Sequence, residues 1–400
     1  MSALRVGSLA AATVAALAAL APGAAPAGAA MATQGIDYDL DGSPQPTPPR
    51  LNRLDIYRPD GAAAGDGRPV VVYVHGGGWR RGDKGLGIAD KVSLFTGAGY
   101  VFASVNYRLS PDPPDPSYPP GRIRFPDQPD DVGEAIGWID RNVSAYGGDP
   151  DRMILIGHSA GAQLVALVST DPRYAGRWGV DPRQLVGTVP LDGVYDITSQ
   201  AGGPRRALFY NAFATPAENA VDDAWALASP VRFAGPDDPE MLVVTQDDLP
   251  SRIAGSAALA TALGPGRGAV LTVPYDHGEI NAAVGGADDP AGETAAIMSF
   301  IDGALRAARP PRVRMTAHPA RLVKLRRHGR RARVSFRFRA KGVAKGFECR
   351  LDGGKYRRCS SPRSYAVLRG RHGFRVRAIG SDGDRGEATR FEFRVVAPRR

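Results

Sequence analysis

The chain has 400 residues, 43% of them hydrophobic, and a formal net charge of +10 at pH 7. This length exceeds that of one typical domain and predicts at least two. Beyond the first thirty residues no segment is long and apolar enough to span a bilayer, which excludes a multi-span membrane protein. The charge is uneven: residues 311–400 contain 27 Lys and Arg against 6 Asp and Glu, a net of +21, which leaves −11 for residues 1–310.

The start of the chain has the pattern of a secretory signal peptide. Arg5 is followed by a run rich in Ala, Leu and Val, and then by an Ala-Gly-Ala sequence that ends at Ala29. A positive charge, a short apolar core and an A-x-A site are the parts of a cleavable signal. We therefore expect residues 1–29 to be removed and the protein to be secreted. A start at Met31, which would leave the protein in the cytosol, is the alternative.

The first motif that carries chemistry is a glycine-rich segment after a predicted strand. Residues 70–74 form an apolar run typical of a buried strand, and the sequence His-Gly-Gly-Gly-Trp follows directly at 75–79. Glycines in such a loop allow backbone N–H groups to face a reacting carbonyl oxygen. We expect Gly77 and Gly78 to be oxyanion donors.

A G-x-S-x-G motif at residues 157–161 supplies a candidate nucleophile. It follows an apolar run and precedes a helical run at 162–168. In a strand–turn–helix arrangement the serine hydroxyl is exposed, the helix N-terminus faces the site, and the N–H of Ala160 becomes a further oxyanion donor. A phosphate-binding turn is the competing interpretation, but no G-x-G-x-x-G with a suitably spaced acid follows the first strand. We predict a serine hydrolase with Ser159 as nucleophile.

The general base must come from six histidines. Three of them belong to the basic C-terminal segment: His318, His328 and His372. His75 opens the glycine loop, and His158 is expected to face away from Ser159. His277 remains, in a turn between an apolar run at 269–273 and the last helix, and we predict that it takes the proton from the serine.

The acid should follow a strand that lies between the serine and the histidine in the chain. Residues 240–245 are such a strand, and the loop after it contains Asp247 and Asp248. We expect Asp248 to orient the histidine, with Asp247 as the next choice, and one of the two could instead cap the following helix. Three further carboxylates rank lower, because two of them end the preceding strand and the third is too near His277 along the chain: Asp192, Asp196 and Asp276.

Apolar runs alternate with helical stretches such as 127–146 and 291–308. This pattern predicts an α/β fold, a doubly wound and mostly parallel sheet with helices on both faces. We assign the catalytic domain to residues 30–309, with a cap insertion at about 195–235. Four aromatic residues of the cap either line an acyl pocket or pack the cap onto the body: Phe209, Tyr210, Phe213 and Trp225.

From residue 310 the pattern changes to period-two alternation of apolar and charged residues, clearest at 334–339 and 390–395. It predicts antiparallel strands and a basic β-sandwich domain over 310–400. Cys349 and Cys359 flank a D-G-G turn, and in an exported protein this close pair predicts a disulfide. Four ligands at metal spacing are absent from the sequence, so we expect no metal and no other cofactor.

Two explanations of the arginine surplus of this segment stay open. One is solubility, and the other is docking to an anionic surface such as a cell-wall polymer, an acidic polysaccharide or lipid headgroups. A nucleic-acid partner is disfavoured, because the aromatic residues alternate with arginine as core residues do and are not arranged as stacking platforms.

On these motifs the chain resembles the α/β-hydrolase superfamily, in the HGGG esterase/lipase branch that includes carboxylesterases and kynurenine formamidases. The resemblance covers roughly residues 50–305. It implies a triad of Ser159, Asp248 and His277, and hydrolysis of a carboxylic ester. The acid loop at 245–248 is more compact than the Gly-x-x-Asp turn usual in that branch, and Gly78 replaces a bulkier residue that formamidases often have.

The segment 347–396 resembles the Ig-like modules appended to exported bacterial proteins. Two other functions compete with ester hydrolysis. One is an arylformamidase-type amidase that uses the same triad, and the other is a non-catalytic binding or adhesion protein whose hydrolase domain is a relic.

Overall fold

The computed structural model describes residues 30–40, 51–112, 114–200, 202–307, 312–327, 329–341, 344–380 and 385–397. The predicted signal peptide at 1–29 lies outside these residues. The predicted domain boundary between 309 and 310 also lies outside them.

A central sheet of eight strands organises the described residues up to 307. Its strand order is β1-β2-β4-β3-β5-β6-β7-β8. The first two strands pair antiparallel to their neighbours and the others pair in parallel. This confirms the predicted mostly parallel α/β sheet. The strands are β1 (Met31–Asp37), β2 (Arg53–Arg58), β3 (Arg68–Val74), β4 (Val101–Val105), β5 (Gly148–His158), β6 (Leu185–Leu191), β7 (Glu240–Gln246) and β8 (Gly268–Val273).

Helices cover both faces of this sheet. They are α1 (Ala89–Gly97), α2 (Asp127–Asn142), α3 (Ala160–Thr170), α4 (Arg206–Ala212), α5 (Pro216–Asp222), α6 (Ala224–Leu227), α7 (Pro250–Ala262), α8 (Glu279–Ala283) and α9 (Glu293–Ala307). Short 3-10 turns lie at Val143–Tyr146, Gly176–Trp178, Pro182–Gln184 and Pro230–Arg232. None of the helices in the described residues is long and apolar enough to cross a membrane.

The alternation of side chains along β3 explains why its sequence is apolar throughout. Val72 packs into a cluster with Ile136 of α2, whereas Val71 packs into a second cluster with Phe95 of α1. Successive side chains of a strand point to opposite faces. A strand covered by helices on both faces therefore needs apolar residues at every position.

The parallel strands place the candidate site. The carboxyl ends of β3, β5, β6, β7 and β8 lie at one edge of the sheet, and ligands of open α/β sheets bind at this edge. The glycine loop, Ser159, Asp192, the loop at 247–248 and His277 all follow these ends. Three of the short helices, α4 to α6, lie in the segment between β6 and β7 that was predicted as a cap.

Two further sheets are formed by the described residues after 312. One has the strand order β10-β16-β15-β12-β13 and the other β14-β11-β9. Phe336 and Phe374, one from each sheet, stack with ring centroids 4.0 Å apart in a shared core. The strands are β9 (Arg312–Ala317), β10 (Leu322–Lys324), β11 (Ala332–Lys341), β12 (Gly346–Leu351), β13 (Arg357–Cys359), β14 (Arg363–Val367), β15 (Gly370–Ile379) and β16 (Thr389–Val396).

This arrangement fits the predicted β-sandwich, while membership of an Ig-like class stays a prediction. Cys349 and Cys359 form the predicted disulfide between β12 and β13, with their Cα atoms 5.8 Å apart.

Candidate active site

The predicted nucleophile lies on a sharp turn between β5 and α3. Ser159 has a φ of 56° and a ψ of −113°, a backbone conformation that non-glycine residues rarely adopt. The glycines on either side allow the close packing of this turn. A Cβ atom on Gly157 would collide with the carbonyl of Gly161, and one on Gly161 would collide with the carbonyl of Val74. The turn therefore depends on the G-x-S-x-G pattern.

The serine, one histidine and one carboxylate form a hydrogen-bonded chain. The Nε2 atom of His277 lies 2.8 Å from the Oγ atom of Ser159. Its Nδ1 atom lies 2.5 Å from Oδ2 of Asp192. The structure thus brings the predicted nucleophile and base together, and joins them to an acid that ranked low from the sequence.

The structure corrects the prediction of Asp248. Both Asp247 and Asp248 are exposed, and the backbone N–H of Asp247 is bound to the carbonyl of Val273. Helix α7 begins at Pro250, directly after this loop. In the described residues the Nδ1 atom of His277 bonds to Asp192 and to neither of these two carboxylates.

Asp192 has the surroundings of an orienting carboxylate. Its side chain is fully buried and accepts hydrogen bonds from Thr245 Oγ1 at 3.0 Å and Gln246 Nε2 at 3.1 Å. Burial alone would raise the pKa of Asp192. The hydrogen bond from His277, the charge of Arg252 and the bond from Thr245 outweigh that effect and lower the pKa. The carboxylate therefore stays ionised beside the imidazole.

Arg252 of α7 holds the turn that carries this acid, and the sequence analysis missed it. Its Nη1 atom donates hydrogen bonds to the carbonyl oxygens of Asp192 and Gly193. Asp192 has a φ of 49°, in the left-handed region that Asp tolerates better than most residues. Arg252 thus fixes the backbone of the turn and adds positive charge next to the carboxylate.

The glycine loop packs directly against the nucleophile turn. A Cβ atom on Gly76 would lie 2.9 Å from the backbone oxygen of His158 and 3.2 Å from the Cβ of Ser159. Gly78 and Ala160 line the same cavity as Ser159. Within the described residues, the N–H groups of Gly77 and Gly78 donate no hydrogen bond to the protein. They are available to a ligand oxygen, and the oxyanion role of Gly77, Gly78 and Ala160 stays a prediction.

Side chains on both sides anchor this loop. The indole N–H of Trp79 donates to Gln163 of α3 at 3.0 Å. The ring of His75 stacks on Tyr107 at 4.5 Å, and the Tyr107 hydroxyl donates to the His75 carbonyl. The loop that ends β3 is thereby tied to the helix that starts after Ser159.

His158 is not among the residues that line the cavity over Ser159, but it contacts the predicted base. Its Nε2 atom lies 2.7 Å from the carbonyl oxygen of His277, and the two rings are 4.7 Å apart. Burial and the nearby charge of His277 lower the pKa of His158 to about 4. His158 is therefore neutral at pH 7, and its Nε2–H donates a hydrogen bond to the backbone carbonyl of the base, His277. This bond helps to fix the position of the base.

A cavity of about 460 Å³ opens over the serine. This volume lies in the range of small-molecule sites. Its wall is apolar near the glycine loop, where Trp79, Leu208 and Phe209 lie, and polar at Gln200, Arg205 and Arg252. Such a mixture suits a ligand with a small apolar group near the serine and a polar remainder.

The four cap aromatics mainly pack the protein. Phe209 lines the cavity but is itself buried, with its ring 5.8 Å from that of Trp79. Phe213 is buried against Trp79, and Tyr210 stacks on Trp225. Of the two alternatives left open by the sequence, packing applies to all four and cavity lining to Phe209. Among the described residues no group of three or more His, Cys, Asp or Glu could hold a metal ion.

The fold and the Ser159–His277–Asp192 arrangement define the class of α/β hydrolases. The family model BD-FAE matches residues 54–263, which is more than half of the chain. The chain therefore belongs to the BD-FAE family.

Named relatives cover smaller parts of the chain. Esterase LipQ of Mycobacterium tuberculosis is 34% identical over 153 residues, which are 38% of this chain and 34% of LipQ. Kynurenine formamidase avaC of Aspergillus versicolor is 30% identical over 190 residues, 40% of this chain and 62% of avaC. The match thus spans only about a third of LipQ.

The solved structures show the same fold. A truncated carbohydrate esterase from gut microbiota superimposes with a TM-score of 0.54 at 19% identity, over 71% of this chain and all of that one. Esterase B from Lactobacillus rhamnosis gives a TM-score of 0.53 at 19% identity, over 70% of this chain and 87% of that one.

Proposed function

We propose that this protein is a carboxylic ester hydrolase that works through an acyl-enzyme on Ser159. The observation that carries the proposal is the hydrogen-bonded chain from the serine through both nitrogens of His277 to Asp192. A serine hydroxyl is a weak nucleophile unless an adjacent base takes its proton, and that base needs an orienting group. The similarity to LipQ, an esterase, supports the same assignment.

Each residue has a defined role in this mechanism. Asp192 accepts the Nδ1–H of His277, which leaves the lone pair of Nε2 directed at the serine hydroxyl. Ser159 attacks the ester carbonyl as its proton moves to Nε2. The imidazolium formed is stabilised by the Asp192 carboxylate, and it then protonates the leaving alcohol. Water, activated by the same histidine, frees the acyl group and regenerates the serine.

The negative oxygen of the tetrahedral intermediate lies between the glycine loop and the start of α3. We assign its stabilisation to the N–H groups of Gly77, Gly78 and Ala160. Two of these residues line the cavity beside Ser159, and α3 directs its N-terminus at the same place. Donors of this kind contribute much of the rate of acyl transfer, because they are oriented before charge develops.

A substrate panel tests the proposal against its two rivals. We expect turnover of p-nitrophenyl esters with a higher kcat/KM than for a formyl anilide of similar size, and covalent labelling by a fluorophosphonate. A higher kcat/KM for the formyl anilide would favour the amidase, in line with the similarity to avaC. If the protein neither turned over any of these substrates nor reacted with the fluorophosphonate, it would be a binding protein. Acyl groups from acetyl to long chains, together with acetylated and feruloylated polysaccharides, would define the preferred ester.

We also propose that the protein is exported. The pattern of residues 1–29 supports this, and so does the Cys349–Cys359 disulfide, since such bonds persist mainly in oxidising compartments. Expression in the native host should give a protein in the medium whose N-terminal residue is Ala30. Recovery from the cytosol with Met31 at its start would contradict export.

A further inference from the structure

The five-stranded C-terminal sheet carries a hollow far in sequence from the hydrolytic residues. Its cavity has a volume of about 460 Å³ and includes Gly373 of β15. We call it the arginine hollow, because five arginines line it together with His372, Phe393, Asp352 and Glu392: Arg321, Arg371, Arg375, Arg390 and Arg394.

Strand alternation directs these arginines to solvent. On β15, Phe374 and Val376 are buried in the sandwich core, so the residues at odd positions between 371 and 375 lie on the outer face. On β16, Phe391 and Phe393 are buried, so the even positions between 390 and 394 lie on that face as well. The arginines that β15 and β16 contribute to the hollow, together with Gly373 and Glu392, therefore lie on the side of the sheet that faces away from the core, whereas His372 and Phe393 lie on the core side.

The register of the two strands brings like charges together. Arg371 lies directly opposite Arg394, Arg375 lies opposite Arg390, and Gly373 lies opposite Glu392 between the two pairs. Like charges in directly opposed positions destabilise a sheet. Arg390 is paired with Glu392, but no carboxylate of the described residues lies within salt-bridge distance of Arg371, Arg375 or Arg394. A bound anion would offset this repulsion.

Gly373 leaves space at the centre of the arginine hollow. A Cβ atom added there would meet no atom within 4 Å. Charge alone does not distinguish this face, because Arg314 also lies opposite Arg339 on the other sheet. The space between two arginine pairs is what makes this position a candidate binding site.

Hydrogen-bond acceptors lie among the arginines. Glu392 faces Gly373 across the strands, and Asp352 accepts hydrogen bonds from the Gly373 N–H and from His372, both at 3.0 Å. Carboxylates repel any anionic group placed next to them, but they can accept hydrogen bonds from hydroxyl groups. The combination suits a ligand that carries hydroxyl groups beside its anionic groups, as an acidic polysaccharide does.

Single-stranded nucleic acid fits this face less well. The ring of Tyr356, which directly precedes β13, already contacts the guanidinium groups of Arg350 and Arg377 at 4.7 and 4.0 Å from its centroid. It is therefore not free to stack on a base, as single-stranded nucleic acid would require.

We propose that the arginine hollow binds a polysaccharide whose sugar residues bear carboxylates. Arginines would hold the carboxylates, and Glu392 and Asp352 would accept hydrogen bonds from the sugar hydroxyls. The binding would tether the enzyme to an acidic polysaccharide matrix. This proposal does not depend on the hydrolytic activity.

Calorimetric titration of the full chain with trigalacturonate tests the proposal, with neutral maltotriose as the ligand control. The triple variant Arg371→Gln/Arg375→Gln/Arg394→Gln should weaken binding by at least about tenfold, because each arginine lost removes a charge-assisted hydrogen bond. A matched triple variant on the other sheet, Arg333→Gln/Arg337→Gln/Arg339→Gln, changes the net charge equally and should alter the affinity less than about twofold. A melting temperature no lower than that of the wild-type protein would show that both variants are folded, and relief of the repulsion between the arginine pairs could raise it.

The variant Gly373→Val tests whether binding depends on the space in the arginine hollow or only on the positive charge of the sheet. It leaves the charge unchanged, adds a side chain where space is free, and should weaken trigalacturonate binding by about fivefold or more through steric exclusion. No binding of trigalacturonate, equal losses in the two triple variants, or full affinity in Gly373→Val would overturn the proposal. Tighter binding to single-stranded DNA or to vesicles of anionic lipid than to polygalacturonate at the same salt would also overturn it.

Discussion

Replacing Ser159 with alanine is expected to abolish ester hydrolysis and leave the fold intact. The hydroxyl is the atom that would attack the substrate, and its partner is Nε2 of His277 at 2.8 Å. Without a nucleophile, only binding and oxyanion stabilisation remain, so kcat should fall by roughly 10⁴- to 10⁶-fold. The measurement is kcat on a soluble p-nitrophenyl ester, together with the melting temperature.

Ser251→Ala is the matched control for this variant. Ser251 lines the same cavity, but no hydrogen bond joins it to His277 in the described residues. It should retain activity within a few-fold of wild type and should still be labelled by a fluorophosphonate. If Ser159→Ala kept more than about a tenth of the wild-type turnover, a level far above residual catalysis, Ser159 would not be the nucleophile.

The serine and the histidine could be predicted from the sequence because their signals are local. The G-x-S-x-G pattern is required by the turn itself, as the collisions at Gly157 and Gly161 demonstrate. His277 was found by elimination among six histidines and by its place after the last strand of the sheet. Continuous apolar runs also predicted the parallel sheet, because strands buried on both faces need them.

The acid could not be predicted in the same way, because two neighbouring strands end at the same edge of the sheet. β6 leads to Asp192 and β7 leads to the loop with Asp248, and both loops lie between Ser159 and His277 in the chain. Only the three-dimensional structure decides which one reaches the imidazole. One signal was present: the segment 245–248 is more compact than the Gly-x-x-Asp turn usual at this place, which set Asp248 apart from the expected acid.

The hydrogen bonds by which His158 and Arg252 hold the site could not be predicted from the sequence either. Each acts on a backbone carbonyl distant along the chain, His158 on that of His277 and Arg252 on those of Asp192 and Gly193. No spacing rule connects such partners. The register that opposes Arg371 with Arg394 likewise depends on how β15 and β16 pair, which alternation alone does not specify.

The corrected acid leads to the second large expected effect. Asp192→Asn should lower kcat by about 10⁴-fold, as the equivalent change does in serine proteases, because asparagine neither holds the productive tautomer nor balances the imidazolium charge. Asp248→Asn should retain near wild-type kcat, since Asp248 is exposed and no bond in the described residues joins it to the histidine. The two variants remove the same charge from loops at the same edge of the sheet, so their comparison isolates the contact with His277.

Stability must be measured beside activity, because Asp192 is buried and accepts hydrogen bonds from Thr245 and Gln246. Asparagine has nearly the same shape and can keep one accepting oxygen, so the loss of stability should be of the order of 1–3 kcal/mol. Fluorophosphonate labelling of Asp192→Asn should be slow but should still occur at Ser159, because the nucleophile is present without an oriented base. A folded Asp192→Asn protein with wild-type kcat would show that the hydrogen bond between Asp192 and His277 does not support catalysis. An equal loss of activity in Asp248→Asn would show that the effect is not specific to the contact with His277.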